Sequence, residues 1–291
     1  MIELRGVTVR YGNAVAVHDV TLRLPADKIY GLLGRNGSGK TSLLGALTSY
    51  RKPAAGTVLI DGVEAFENPA IARRTAFIRD TLDLSETDRI SCAFRLAGRL
   101  RPSWDGAYAD RLLDLFQLDP GKRVSALSRG QKSALGVVLG LAARAPLTVL
   151  DESYLGMDAV ARTLFYREVL ADYLAHPRTI ILSTHLIDEV ADLFEQVVVL
   201  DRGRVLLHEE TETLRGRGYT VSGPAAAVDA FATGHAVLGE QRLGGVRAVT
   251  VDGRLDPAEV ARGEAAGLAF GPIGLQDLFV LLTSQPLEAS R

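Results

Sequence analysis

The chain has 291 residues, 47% of them hydrophobic and 23% charged, with a formal net charge of −2. That length holds one large α/β domain plus a small appendage, and the charge balance excludes nucleic-acid binding driven by bulk charge. A single cysteine, Cys92, rules out an intrachain disulfide, MIELRGVTVR lacks the apolar core of an export signal, and the longest apolar run, Leu135–Ala143, is nine residues, far short of the ~20 that cross a bilayer.

In chain order, Val7, Val9 and Tyr11 alternate with Thr8 and Arg10 and predict a strand, followed by another over Val15–Leu24. Lys28–Leu33 (KIYGLL) reads as a short buried strand and Thr41–Leu47 as the opening turns of a helix. Between them GRNGSGKT, Gly34–Thr41, fits G-x-x-x-x-G-K-[ST] without a gap. Its glycines let the backbone curl so that successive N–H groups point inward, and the helix N-terminus adds roughly half a positive charge. The spacing therefore predicts a cage for nucleotide phosphates built by Gly34, Arg35, Asn36, Gly37, Ser38, Gly39, Lys40, Thr41 and Ser42. Lys40 reaches the β- and γ-phosphates, and the Thr41 hydroxyl is placed to ligate Mg²⁺.

After the turn Pro53–Gly56, Thr57–Ile60 and Asp61–Gly62 read as a hairpin. Residues from about 84 to 118 carry no strand signal. Their apolar residues recur at helical spacing on either side of Pro102, so a helical insert over about 84–126 is expected. Helix Ser128–Ala143, strand Leu147–Leu150, helix Ala159–Leu174, strand Thr179–Ser183, helix Leu186–Phe194 and strand Gln196–Leu200 then alternate, the pattern of a buried parallel sheet. A hairpin over Val197–Leu207, turning at Asp201–Gly203, closes the core. From residue 209 the texture becomes Ala/Gly-rich, with seven arginines against eleven carboxylates. Strands Tyr219–Val221, Ala236–Leu238 and Val246–Val251 and helices Pro257–Ala266 and Leu275–Thr283 predict a small α+β domain over 209–291, set against a core domain of 1–208.

Four further motifs follow the phosphate loop. LSRGQ (Leu127–Gln131) opens a helix with Ser128 as N-cap and Gly130 beside it. PLTVLDE (Pro146–Glu152) is an apolar strand that delivers two carboxylates to the edge where an α/β sheet binds ligands. There Asp151 would hold Mg²⁺ and Glu152 would polarise a water for attack on the γ-phosphate; a plain acidic pair capping the next helix is the alternative. Asp158 ends SYLGMD, where it also suits a helix N-cap, and His185 follows an apolar strand in STH.

In this order and spacing the motifs resemble the ATP-binding cassette family, the nucleotide-hydrolysing subunits of ABC transporters, over about residues 2–207. The resemblance implies a P-loop NTPase (RecA-like) α/β core with a helical insert subdomain and antiparallel N-terminal strands. It also implies that the cofactors are ATP and Mg²⁺, with Glu152 and His185 catalytic, His185 sensing the γ-phosphate, and Tyr11 stacking on adenine unless it is a plain strand aromatic. By the same resemblance Ser128, Arg129, Gly130 and Gln131 act on nucleotide held by a second copy or paralogue, and Asp158 crosses to that partner. Arg129 replaces the first of the family's paired glycines, and its side chain is expected to point to solvent. Asp80, in AFIRD, stands where the family places a glutamine. It would join Thr41 and Asp151 on the metal, unless the register is shifted by a residue.

The family's membrane partner, a transmembrane permease, would dock between the Asp80 loop and the helical insert, with Leu82, Leu84 and Phe94 as candidate contacts. Length, the LSRGQ variant and the acidic tail resemble the ABC-2 exporter type, notably the YtrB-like and bacitracin-export groups. That implies export of a drug, peptide or lipid-like compound from a cytoplasmic position on the inner face of the membrane. The rival is a soluble cassette ATPase of translation or DNA repair. One cassette, 87 residues between Lys40 and Ser128, and an acidic tail count against it, and no nucleic-acid partner is expected.

Overall fold

Alternation of valines with polar residues builds the first two strands, β1 (Ile2–Tyr11) and β2 (Ala14–Leu24), an antiparallel pair in which Ile2 faces Leu24 and Tyr11 faces Ala14. The structure, a computed structural model, describes residues 1–81, 83–216, 218–253 and 255–284. With β4 (Ala55–Ile60) and β5 (Val63–Glu64) these strands form an antiparallel sheet in the order β2-β1-β4-β5.

The second sheet is the one that positions chemistry. Its strands are β3 (Ile29–Leu33), β6 (Thr75–Arg79), β7 (Leu147–Asp151), β8 (Thr179–Thr184), β9 (Gln196–Asp201) and β10 (Arg204–Glu210), in the order β10-β9-β3-β8-β7-β6. Pairings β3/β9, β3/β8, β8/β7 and β7/β6 are all parallel. Every residue of β3, β7, β8 and β9 is buried, which explains their largely apolar, non-alternating sequences: a sheet covered on both faces has no polar side to alternate with. Parallel strands put their C-terminal ends along one edge. Register aligns Leu33 with Thr184, Asp151 with Ser183, and Arg79 with Asp151. The loops after these strands therefore emerge side by side, the arrangement that gives α/β sheets their binding edge.

Helices α1 (Lys40–Leu47) and α2 (Pro69–Arg73) precede the insert, which consists of α3 (Ile90–Leu100) and α4 (Gly106–Leu115), separated by the segment containing Pro102. Helices α5 (Arg129–Ala142), α6 (Ala159–Ala175) and α7 (Ile187–Val190) follow. The predicted helix over Leu186–Phe194 is shorter than expected: α7 stops at Val190 and a 3₁₀ turn, Ala191–Leu193, follows. Phe194 lies against Gly31 of β3, where a Cβ would fall 2.5 Å from its ring, so packing on the sheet overrides the helical pattern.

Contacts divide the chain into two compact units, residues 1–185 with 192–207, and residues 186–191 with those from 208 onward. The second unit therefore takes in α7 as well as the predicted tail. It contains α8 (Thr211–Arg215), β11 (Gly218–Pro224), α9 (Ala225–Ala232), β12 (Val237–Leu243), β13 (Val246–Asp252), α10 (Pro257–Ala265), β14 (Ala269–Pro272) and α11 (Leu275–Ser284). The run β11 to β14 is a βαββαβ arrangement with antiparallel strand order β12-β13-β11-β14. Tyr219, Val221, Val228, Val249, Val251 and Leu268 form its core.

Candidate functional site

The loop between β3 and α1 is shaped by its glycines. Gly37 and Gly39 sit at φ of 80° and 105°, backbone that a side chain rarely adopts. A Cβ on Gly34 would come within 2.6 Å of the Leu200 carbonyl oxygen, and one on Gly39 would strike the Ala16 carbonyl. Arg35, Asn36 and Gly37 form the exposed lip, while Ser38 and Lys40 are buried. Gly39, the residue capping α1, offers no side-chain hydrogen bond, so the first N–H groups of α1 keep the positive end of the helix dipole for an outside acceptor. Ser38 Oγ is buried and has no hydrogen-bond partner among the described residues. A cradle with a missing acceptor and an uncapped helix end suits a phosphate.

Lys40 carries the charge. Its ammonium donates to the Gly34 carbonyl at 2.8 Å and lies 3.2 Å from Glu152 Oε1, with only 5% of the side chain exposed. Glu152 follows the last residue of β7 with φ of 46°, a left-handed conformation that costs a non-glycine residue about 1–2 kcal/mol. Its N–H donates to the Ser183 carbonyl at 3.3 Å, which holds that turn in place. Glu152 Oε1 also lies 3.3 Å from His185 Nδ1. Thus Lys40, Glu152 and His185, predicted from three separated motifs, meet at one carboxylate. Tyr154, whose hydroxyl shares a 2.7 Å hydrogen bond with Thr184, lies with its ring 6.4 Å from that of His185.

Asp151, one residue earlier, is buried, and its Oδ1 accepts a hydrogen bond from the Ser183 hydroxyl. Burial pushes its carboxyl above the usual carboxylate range; the Ser183 and Thr41 hydroxyls and Lys40 pull it back, and Glu152 pushes it further up. Sequence reading did not single out Ser183; its signal was a hydroxyl residue ending an otherwise apolar strand. Asp80 is exposed at the end of β6, next to Arg79, whose guanidinium is held by Asp83 at 2.6 Å and by the Tyr50 hydroxyl at 2.9 Å. Of the three predicted metal ligands, the structure brings Thr41 and Asp151 together. Among the described residues no group of three His, Cys, Asp or Glu side chains converges on one centre. A Mg²⁺ carried by a nucleotide fits such a sparse set, since that ion keeps several waters and takes one or two protein ligands plus phosphates.

Tyr11 lies at the end of β1, 47% exposed, and accepts a hydrogen bond from the Ser42 hydroxyl at 3.3 Å. Tyr11 is thereby tied to α1, the helix that the glycine-rich loop opens.

The LSRGQ segment forms the N-terminus of α5 in a different way. Ser128 Oγ accepts from the Gln131 N–H at 3.2 Å, and Gln131 Oε1 accepts from the Ser128 N–H at 3.1 Å, a complete capping box. Gly130 packs on the SYLGMD loop: a Cβ there would fall 2.6 Å from the Gly156 carbonyl oxygen. Arg129 is exposed, as expected, while its stem passes over Gly156, within 2.7 Å of where a Cβ would be. Ser133 on α5 donates to the Leu155 carbonyl, and Asp158 caps α6 by accepting from the Ala161 N–H at 2.8 Å. Ser128, Gly130, Gln131 and Asp158 line one cavity of about 410 Å³.

A second cavity, of about 270 Å³, lies between the end of β6 and α3; Ile78, Leu84, Leu96, Leu100 and Leu139 line it. Phe94 turns instead to Trp104, ring centres 5.5 Å apart, and Leu82 lies outside the described residues. No helix among the described residues is long and apolar enough to cross a membrane.

Residues 17–154 match the family described as ABC transporter. The ABC transporter ATP-binding protein YtrB of Bacillus subtilis is 29% identical over 201 residues, covering 69% of this chain and 69% of that protein. A taurine import ATP-binding protein TauB of Mesorhizobium japonicum is 32% identical over 80% of this chain and 93% of its own length. A Nod factor export ATP-binding protein I of Rhizobium meliloti is 30% identical over 99% of this chain and 89% of its own length. A solved ATP-binding subunit of an ABC transporter superposes with a TM-score of 0.66 at 25% identity, covering 74% of this chain and 92% of that one. A dimeric ATP-binding cassette in a post-hydrolysis state with ADP and Pi shares the fold, with a TM-score of 0.65 at 20% identity over 72% and 99% of the two chains.

Proposed function

The chain belongs to the ABC transporter ATP-binding family and is an ATPase of that family; from that premise we propose that two copies, or this chain and a paralogue, close on ATP and drive a separate membrane permease that exports its substrate. The triphosphate sits on the loop Gly34–Thr41, with Ser38 Oγ, Lys40 and the first N–H groups of α1 as its donors. Mg²⁺, held by Thr41 and Asp151, supplies charge neutralisation to the phosphates. Glu152 accepts a proton from the attacking water as its oxygen bonds to the γ-phosphorus and the bridging oxygen leaves with ADP. His185, within 3.3 Å of the same carboxylate, orients Glu152 and hydrogen-bonds the γ-phosphate. Ser128 and Asp158 serve the nucleotide of the opposite copy.

The observation that supports the reading is the meeting of Lys40 and His185 on one carboxylate, that of Glu152. Export is supported by the relative matched through the C-terminal unit, a Nod factor exporter aligned over 99% of this chain, whereas the taurine importer covers 80%. The apolar cavity beside α3, with Leu96 53% and Leu100 58% exposed at its rim, offers the permease a docking surface on the cytoplasmic face of the membrane. Glu152→Gln should keep ATP affinity while steady-state hydrolysis falls by about 10²–10⁴-fold. Full activity in that variant would remove Glu152 from the reaction.

A further inference from the structure

Tyr11 sits at the tip of the β1–β2 hairpin in the first sheet. The Arg51 guanidinium packs on its ring. Its central carbon lies 3.7 Å from the centre of the Tyr11 ring, covering one face. Arg51 is itself tied down twice: its terminal nitrogen donates to the Arg10 carbonyl at 3.0 Å, and its backbone N–H donates to the Gly45 carbonyl at 2.9 Å. Gly45 and Ser42, which holds the Tyr11 hydroxyl, both lie on α1. One short helix therefore carries the phosphate loop at its start and, through Ser42 and Gly45, both restraints on the aromatic ring.

We propose that Arg51 is a positioning residue for the base: it backs Tyr11 so that the uncovered face of the ring meets a purine at the distance from the phosphate loop that α1 sets. The inference rests on the nucleotide reading above and extends it to the base. A guanidinium against one face of a phenol ring is a cation–π contact, and it restricts the ring before the base arrives, so less ordering is left to the binding step. Tyr11 remains 47% exposed with Arg51 in place, which leaves ring surface on which a base would stack without hydrogen-bond readout. Lysine cannot reproduce the flat contact or the fork that reaches the Arg10 carbonyl.

Calorimetry on the full chain with ATP and with inorganic tripolyphosphate separates base from phosphate. Arg51→Ala should weaken ATP by about three- to fivefold, the range of an exposed cation–π contact, and leave tripolyphosphate affinity unchanged. Arg51→Lys should show a smaller loss of the same kind, and serves if the alanine variant does not fold. Equal weakening of both ligands would mean that Arg51 acts only as a charge, and unchanged or tighter ATP binding would mean that it does not position the base; either overturns the proposal. A wild-type chain that binds neither ligand would sink the nucleotide reading itself, and this inference with it.

Discussion

Two helix N-termini, those of α1 and α5, face opposite demands. Helix α1 begins at Gly39 with no side-chain cap, a buried Ser38 hydroxyl that has no partner among the described residues, and an ammonium shared between a carbonyl and Glu152. Helix α5 begins with a complete capping box, and its first turn is locked onto the loop before α6 through Gly130 and Ser133. The first end is incomplete among the described residues and, on the proposed reading, would take its missing acceptors from an anion. The second supplies its own donors and acceptors and stands as a preformed surface. The difference teaches that the two halves of the site should respond differently to mutation: the loop half through ligand affinity, the LSRGQ half through stability and through hydrolysis.

The sharpest way to break the comparison is Lys40→Ala. Loss of a charge-assisted contact of about 2–3 kcal/mol should weaken ATP by about a hundredfold in calorimetry. A smaller change would mean that the loop binds by its backbone alone. Next, Gly130→Ala should push a methyl against the Gly156 carbonyl and cost about 1–3 kcal/mol in thermal unfolding, with loop affinity for ATP kept. If stability held and affinity fell instead, Gly130 would be serving the loop half.

The smallest expected effect on stability concerns Asp151. Its pKa is raised, with burial the leading cause. Between the usual carboxylate pKa and the raised one, the folded chain holds a proton that the unfolded chain has released. Stability therefore falls as pH rises through that window, and the buried charge remains a cost above it. Asp151→Asn should raise the melting temperature at neutral pH by about 2–4 °C for each kcal/mol relieved, while hydrolysis is lost. A lower melting temperature would show that the Ser183 and Thr41 hydroxyls more than offset the burial.

Much of the loop half was legible in the sequence because its chemistry is contiguous: a glycine-rich turn between an apolar strand and a helix needs no tertiary knowledge. Glu152 and His185 were legible because parallel strands bring their C-terminal ends to one edge. The strand β6 was missed although Asn68 and Pro69 mark the preceding helix start, Asn68 accepting from the Ala70 and Ile71 N–H groups. Only pairing with β7 distinguishes TAFIR from a loop. In the second unit, α9 reads AAAVDAFA and β14 reads AFGP; neither has a period of its own, and burial of Val228 and pairing with β11 decide them. The reason for glycine at position 130 was also hidden. The structure supplies one reason: a Cβ there would fall 2.6 Å from the chain's own Gly156 carbonyl oxygen.

The central claim is that the phosphate loop of one copy works with the LSRGQ segment of another. It is tested most directly by mixing two inactive variants, Lys40→Ala and Ser128→Arg, and measuring ATP hydrolysis. Half of the dimers in an equal mixture pair the two variants, and each such dimer contains one site with both parts intact, so about a quarter of the wild-type rate should return. Activity in the mixture no greater than the sum of the two variants alone, or full activity of Ser128→Arg by itself, would contradict the account.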